Sequence, residues 1–211
     1  MYLEILNKGF MGSNSYIIGS NGEAAVIDAG NNADDIFEVA VNAGMRVKYI
    51  ILTHGHLDHI VYLDELQGKT HASVAIHKTD AAALNDSKLN VSRLFGMNRV
   101  FRKADILLED GDVIKVGDLN LEIIHTPGHT AGGICIKCGS VLFTGDTLFD
   151  GDFGRTDLPS GDMNTLKSSI KKIFQMNRET MIYPGHEVGD KLKNIILKCE
   201  TGSLLSDEYW T

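Results

Sequence analysis

Apolar and polar positions divide the chain into two blocks of short segments with the composition of β-strands. In the first block, residues 2–7, 14–19 and 23–28 are separated by Gly, Ser and Asn, which predicts three neighbouring strands. Residues 47–52 are apolar almost throughout, as expected of a strand covered on both faces, and 72–77 predict a fifth strand. The second block predicts five more strands, at Val113–Val116, Leu119–His125, 134–137, 141–143 and 180–183.

Apolar residues at helical spacing accompany both blocks. The spacing predicts helices at 33–43, 60–68, 79–85, 162–176 and 189–199. Strands in two blocks, each followed by helices, indicate an α+β fold with two packed sheets and helices on both outer faces. We therefore predict a four-layer αββα sandwich, built as a single domain over residues 1–211, with the chemistry on loops at the strand ends.

Composition narrows the class of protein. A hydrophobic content of 43% and a charged content of 23% are ordinary for a soluble globular chain. The net charge of −8 argues against a nucleic-acid partner, and we expect no membrane partner because no apolar run reaches 18 residues. The N-terminus lacks a charged leader before an apolar run, so we expect a cytoplasmic protein. For the Cys135–Cys138 pair we favour ordinary packing over a redox or metal role.

The densest chemistry lies directly after the strand 47–52, in the sequence THGHLDH. It places four potential metal ligands, His54, His56, Asp58 and His59, within six residues. Imidazole and carboxylate are the ligands that zinc and similar divalent metals prefer. In an extended segment, residues two apart point the same way, so the first two histidines can bind one ion. The alternatives to a metal site are that Asp58 caps a helix and that the histidines form a surface cluster.

Three further ligand candidates stand beside glycine at the ends of predicted strands. They are His129 in HTPGHTAGG, Asp146 in FTGDTLF and His186 in YPGHE. Asp28, in VIDAG, also ends a predicted strand. With His129, Asp146 and His186 the chain offers seven candidate ligands, enough for two ions.

These motifs, in this order, resemble the metallo-β-lactamase fold superfamily, and within it the glyoxalase II-like branch. The matching stretches run from residue 26 to 187 and include FTGDTLFDGDFGRTDLPSGD. The resemblance implies two divalent metal ions, zinc in the first place, with iron or manganese as alternatives. It assigns His54, His56 and His129 to one ion and Asp58, His59 and His186 to the other, with Asp146 bridging them. Asp28 would orient the ligands from outside the coordination sphere.

The resemblance also implies an activity. A metal-bridging hydroxide would attack the carbonyl of a thioester such as S-lactoylglutathione, since coordination lowers the pKa of water towards about 7. Asp58 is a plausible partner for the nucleophile's proton, and Arg155 either meets a substrate carboxylate or pairs with Asp152 or Asp157. The chain ends soon after His186, so we expect the short bacterial form of the branch. An iron-dependent persulfide dioxygenase, or a hydrolase of another ester or lactone, is the alternative.

Three other features carry expectations. The segment 93–103, RLFGMNRVFRK, holds four positive charges, and is either a solvated loop or a lid that meets an anionic substrate. His71, His77 and His125 match no ligand motif, so we predict structural or surface roles. Where the family commonly has glycine, this chain has Val61 and Tyr62, which predicts an altered cavity floor.

Overall fold

Six strands form the first sheet in their sequence order, β1 to β6. In the computed structural model, which describes residues 1–201, β1 to β3 pair antiparallel and β3 to β6 pair parallel. Because the parallel strands end at one edge, the loops that follow them meet there. The six strands are β1 Tyr2–Leu6, β2 Ser15–Ser20, β3 Glu23–Ile27, β4 Arg46–Ile51, β5 Ser73–His77 and β6 Ile106–Leu108.

Five strands form the second sheet, in the order β11-β10-β9-β8-β7. All its pairs are antiparallel except β10 with β11, which run parallel. The strands are β7 Val113–Val116, β8 Leu119–His125, β9 Ile134–Cys138, β10 Val141–Gly145 and β11 Met181–Pro184.

The α-helices lie on the outer faces of the two sheets. The side chain of Asn32 caps the first by accepting from the amide of Asp34 at 2.8 Å, and Asp162 caps the fourth by accepting from Thr165 at 2.7 Å. The five helices are α1 Ala33–Asn42, α2 Leu57–Ile60, α3 Leu63–Thr70, α4 Met163–Phe174 and α5 Leu192–Thr201. No helix within residues 1–201 is both long and apolar enough to cross a membrane.

Three apolar layers separate the four structural layers. The first joins the outer face of the first sheet to α1, α2 and α3, and the second lies between the sheets around Phe143. The third joins the second sheet to α4 and α5. The predicted α+β fold, a four-layer αββα sandwich, is confirmed. The prediction of one domain over 1–211 includes residues 202–211, which lie outside the described part of the chain.

Three elements differ from the expectations. The sequence predicts one helix over 60–68, but α2 and α3 are separate helices that meet at Val61 and Tyr62. Strand β6 was missed: it has three residues, too few for a period, and it pairs with β5 at the edge of the sheet. Residues Ala81–Asn85 form a 3₁₀ turn where a short helix was predicted.

The cysteines are buried and free. Cys138 packs between the sheets, whereas Cys135 packs against the outer helices of the second sheet. Successive positions of a strand face opposite sides, so residues three apart cannot share a site. This placement agrees with the packing role that the sequence favoured.

Candidate metal centre

All seven candidate ligands meet at one end of the two sheets. The loop after β4 brings four of them, and the loops after β8, β10 and β11 bring His129, Asp146 and His186. Ligand atoms within each of three groups lie within 4.8 Å of one another: His54 with His56 and His129, His54 with His59 and Asp146, and Asp58 with His59 and His186.

Asp28 and Thr53 fix the orientation of His54. The carboxylate of Asp28 accepts from the amide and the hydroxyl of Thr53, each at 2.7 Å. Because the hydroxyl proton of Thr53 goes to Asp28, its oxygen accepts from Nδ1 of His54, 3.1 Å away. The protonated Nδ1 leaves Nε2 of His54 with a free lone pair inside the cluster.

The same carboxylate orients His59. Nδ1 of His59 donates to Oδ2 of Asp28 at 2.8 Å, which turns Nε2 towards the cluster. Nε2 lies 3.3 Å from Nε2 of His186 and 3.3 Å from Oδ1 of Asp146. Histidines that bind a metal commonly donate their other ring N–H to a carboxylate in this way.

The His129 ring is held by a backbone carbonyl. Its Nδ1 donates to the carbonyl oxygen of Arg155 at 2.7 Å, so Nε2 carries the free lone pair. That Nε2 faces Nδ1 of His56 at a distance of 2.9 Å. The hydrogen bonds therefore direct one ring nitrogen of each of His54, His59 and His129 into the cluster.

The unsatisfied atoms of the cluster fit a cation. Nε2 of His54 and Oδ1 of Asp146 are buried and have no hydrogen-bond partner among the described residues. Buried polar atoms of folded proteins normally have a partner, and these atoms lie where a bound cation would satisfy them. Lone pairs of imidazole and carboxylate are suited to a divalent metal.

The protonation states also favour a metal. Burial lowers the pKa of His56 to about 3, with a further contribution from His129, and burial lowers the pKa of His54 well below its usual range. Burial opposes the charge of His59, yet Asp146, Asp58 and Asp28 together raise its pKa well above its usual range. A metal ion would displace that proton, since only the neutral imidazole is a ligand.

Asp146 lies between the two sides of the cluster. Its Oδ1 is 3.3 Å from Nε2 of His59, and its Oδ2 is 3.5 Å from Nε2 of His129. Burial acts to raise the pKa of Asp146, but the histidines, His59 first, hold it well below its usual range. A Cβ at Gly185 would overlap the carboxylate oxygen of Asp146, so only glycine fits there.

Sequence reasoning missed Asp80. Its buried carboxylate accepts from the amide of Gly55 at 3.1 Å, from the hydroxyl of Thr130 at 2.7 Å and from the amide of Gly132 at 2.6 Å. It thus ties the loop of His54 and His56 to the loop of His129. The sequence does contain a signal for Asp80, the same one that identifies Asp28. Each is a carboxylate at or shortly after the end of a predicted strand, and the two strands end at the same edge of the sheet.

Five of the seven candidate ligands line the floor of an open cavity of about 280 Å³. Its floor includes His56, Asp58, His129, Asp146 and His186. Apolar side chains from three loops form most of the wall: Met11, Val91, Leu94, Phe95, Phe149 and Leu158.

Arg155 lies at the rim of this cavity, but its charge is already paired. Its guanidinium donates twice to the carboxylate of Asp157, both times at 2.6 Å. The pairing with Asp157 that the sequence left open is therefore present. The pair is well exposed, and what Arg155 contributes to substrate binding stays a prediction.

The segment 93–103 divides into two parts. Leu94 and Phe95 belong to the cavity wall, and Phe95 packs edge to face on Phe10 with the ring centroids 6.3 Å apart. The second part turns away: Arg99 donates to the carbonyl of Val61 at 3.2 Å.

The expected change of the cavity floor is absent. Val61 and Tyr62 do not line the cavity, because they lie at the junction of α2 and α3. The three remaining histidines lie outside the cluster: His71 is exposed after α3, and the rings of His77 and His125 stack 4.0 Å apart.

Two sheets with covered outer faces and a histidine-rich cavity at their common end define a class, the metal-binding hydrolases with this sandwich fold. The chain belongs to the metallo-beta-lactamase superfamily, whose family model matches residues 9–186.

Comparisons with individual proteins agree. The chain is 35% identical over 194 residues to the hydroxyacylglutathione hydrolase GloC of Haemophilus influenzae, covering 88% of this chain and 91% of that protein. The crystal structure of the BLEG-1 B3 metallo-beta-lactamase superposes with a TM-score of 0.86 at 29% identity, over 92% of this chain and 95% of that one. A structure of TTHA1623 in a di-iron-bound form gives a TM-score of 0.80 at 27% identity, over 90% and 96% of the two chains.

Proposed function

We propose that the protein hydrolyses a thioester, such as S-lactoylglutathione, with two divalent metal ions. The observation that carries the proposal is the cluster of seven candidate ligands, five of which line the floor of an open cavity. The similarity to a hydroxyacylglutathione hydrolase over 88% of the chain supports the thioester as substrate.

The three groups of donors support the following ligand sets. His54, His56 and His129 would hold the first ion, and Asp58, His59 and His186 the second. Asp146, with one oxygen near each set, would bridge the ions. Zinc is our first choice because the donors are mostly imidazole, and the di-iron form of a similar structure keeps iron as an alternative, beside manganese.

The ions would supply a Lewis acid for the carbonyl oxygen and hydroxide at neutral pH. The chain's own residues would hold and protect the reacting groups. Apolar side chains on three loops would shield the substrate from water along the cavity walls. The backbone carbonyl of Arg155 keeps the ring of His129 oriented. Burial acts to raise the pKa of Asp58, but His59 and His186 have the larger combined effect, and the pKa is lowered. The carboxylate is therefore ionised at neutral pH and can accept a proton.

The test is hydrolysis of S-D-lactoylglutathione by protein loaded with zinc, iron or manganese. We expect turnover in the wild type and a loss of at least about 100-fold in His129→Ala, together with loss of bound metal. His71→Asn is the matched control, since His71 is exposed and has a left-handed backbone that asparagine tolerates. Absence of turnover with all three metals would refute the glutathione thioester as substrate.

The alternative activities make different predictions. A mononuclear persulfide dioxygenase would consume oxygen in its iron form, whereas the compact second group, Asp58 with His59 and His186, favours a site for two ions. Another ester or lactone would be hydrolysed without a thiol product. A small-molecule substrate and a cytoplasmic location stay predictions from the sequence.

A further inference from the structure

A second depression adjoins the cavity above the histidine cluster, between the same two loops. Residues 91–95 form one wall of the cavity, and residues 154–158 form the other. A wider depression of about 510 Å³ is lined by Lys88, Arg93, Leu94 and Pro159. Because Leu94 lines both and Pro159 follows Leu158, the cavity and the depression adjoin each other between the same two loops, and we refer to the two together as the groove.

The two ends of this groove differ in charge. The inner wall is apolar, and its one basic side chain, Arg155, is paired with Asp157. The outer end carries Lys88 and Arg93, both exposed, whose side chains form no ion pair or hydrogen bond within residues 1–201. No acidic residue occurs between positions 87 and 103, in a chain with a net charge of −8.

Two nearby cations have other partners. Arg99 donates to a backbone carbonyl and its guanidinium lies 5.1 Å from the ring centroid of Phe101, while Arg102 pairs with Asp105 at 3.0 Å. Of the positive charges in the segment 93–103, Arg93 alone lines the groove. Together with Lys88 it gives the outer end two charges that a ligand can reach.

We propose that Lys88 and Arg93 bind an anionic group on the thiol carrier of the substrate. The acyl carbonyl would lie at the cluster and the apolar part of the molecule against Leu94, so that the carrier extends to the outer end. The feature that the possible carriers share is an anionic group. It is a carboxylate in a thiol peptide and a phosphate in a nucleotide-linked thiol. This inference rests on the proposed thioester hydrolysis.

The experiment compares three lactoyl thioesters of the same acyl group. Glutathione carries carboxylates, coenzyme A carries phosphates, and N-acetylcysteamine carries no charge. In the double variant Lys88→Gln/Arg93→Gln we expect KM to rise about tenfold for at least one charged substrate, with kcat unchanged, because two exposed charge contacts are lost. KM for the uncharged substrate should not change.

Lys115→Gln is the matched control, since Lys115 is an exposed lysine on β7 that lines neither cavity. Metal content and melting temperature show that the double variant is folded. A rise in KM that disappears at high salt supports the site, and the charged substrate affected identifies its anion.

Equal KM values in wild type and double variant for both charged substrates would overturn the inference while leaving the hydrolase intact. The same rise for the uncharged substrate would also overturn it. Failure of the proposed function has another signature: wild-type protein would hydrolyse none of the three thioesters, and the inference would fall with it.

Discussion

At the scale of single residues, Asp28 carries more of the site than its position outside the ligand set suggests. One buried carboxylate accepts from Thr53 twice and from His59, and through them it fixes two imidazoles of the cluster. Its φ of +60° is a left-handed conformation that aspartate and asparagine accept more readily than other residues. Both the side chain and the backbone therefore restrict this position.

Replacing Asp28 by Asn tests that role without adding backbone strain. The amide has one accepting oxygen, so either Thr53 or His59 loses an acceptor. We expect the affinity for metal to fall about 10–100-fold in a zinc titration against a competing chelator. Asp35→Asn, an exposed change on α1, is the control. An unchanged affinity for both ions would show that Asp28 does not orient the ligands.

At the scale of elements, the loops of the two sheets depend on each other through Asp80. It follows β5 of the first sheet, and two of its three donors, Thr130 and Gly132, follow β8 of the second. Burial raises the pKa of Asp80, against the opposing effect of these donors. A Cβ at Gly132 would lie 2.5 Å from the amide nitrogen of Asp80, so the loops touch closely.

Asp80→Ala should destabilise the protein even without metal. Its three donors would lose their buried acceptor, which costs about 1–3 kcal/mol of the free energy of unfolding. Urea unfolding of metal-free wild type and variant measures the difference. Asp80→Asn, which keeps an oxygen, should lose less. If Ala and wild type unfold at the same urea concentration without metal, Asp80 does not join the loops.

The sequence predicts most elements of this fold because its signals are local. Strands of four or more residues and long helices show their period, and glycine-flanked ligands mark the strand ends. The three residues of β6 are too few for a period, and the pairing of β6 with β5 depends on residues about thirty positions apart. The break between α2 and α3 at Val61 depends on tertiary structure. The backbone carbonyl of Val61 accepts a hydrogen bond from Arg99, which is distant in the sequence.

The site shows the same division between local and distant signals. Ligand identity is carried by short motifs such as THGHLDH, which is why all seven candidates are recognisable and do meet. The partners of Asp80 lie 25 to 52 positions away, and the pairing of Arg155 with Asp157 depends on a loop conformation that no period encodes. Motifs thus identify the donors and Asp28, whereas Asp80 and the Arg155 carbonyl that holds His129 become apparent only in the fold.

At the scale of the whole molecule, a stacked histidine pair joins the two sheets. His77 ends β5 and His125 ends β8, and their rings are nearly parallel, 10° apart in plane. Nε2 of His125 donates to the carbonyl of Ala131 at 3.0 Å, and Nδ1 of His77 accepts from the amide of Thr79 at 3.3 Å. The hydrogen bond from Thr79 requires an unprotonated Nδ1 on His77.

This pair makes stability depend on pH. Burial, and then the neighbouring His125 and Lys78, lower the pKa of His77, against a smaller opposing effect of Glu109 and Asp110. In the unfolded chain His77 titrates near about 6.5, so below that pH the unfolded state binds more protons than the folded state. The stabilisation is therefore fully present above about pH 7 and is lost as the pH falls towards the pKa of the folded state.

His77→Phe isolates this contribution, because phenylalanine keeps a ring against His125 and removes the titration. We expect the free energy of unfolding of the metal-free wild type to fall more than that of the variant when the pH is lowered from 7.5 to 5.5. Urea unfolding at each pH measures both. The buried His54 and His56 also have lowered pKa values, but they contribute to both proteins and cancel in the difference. Identical pH dependences would mean that protonation of His77 is not linked to the joining of the sheets.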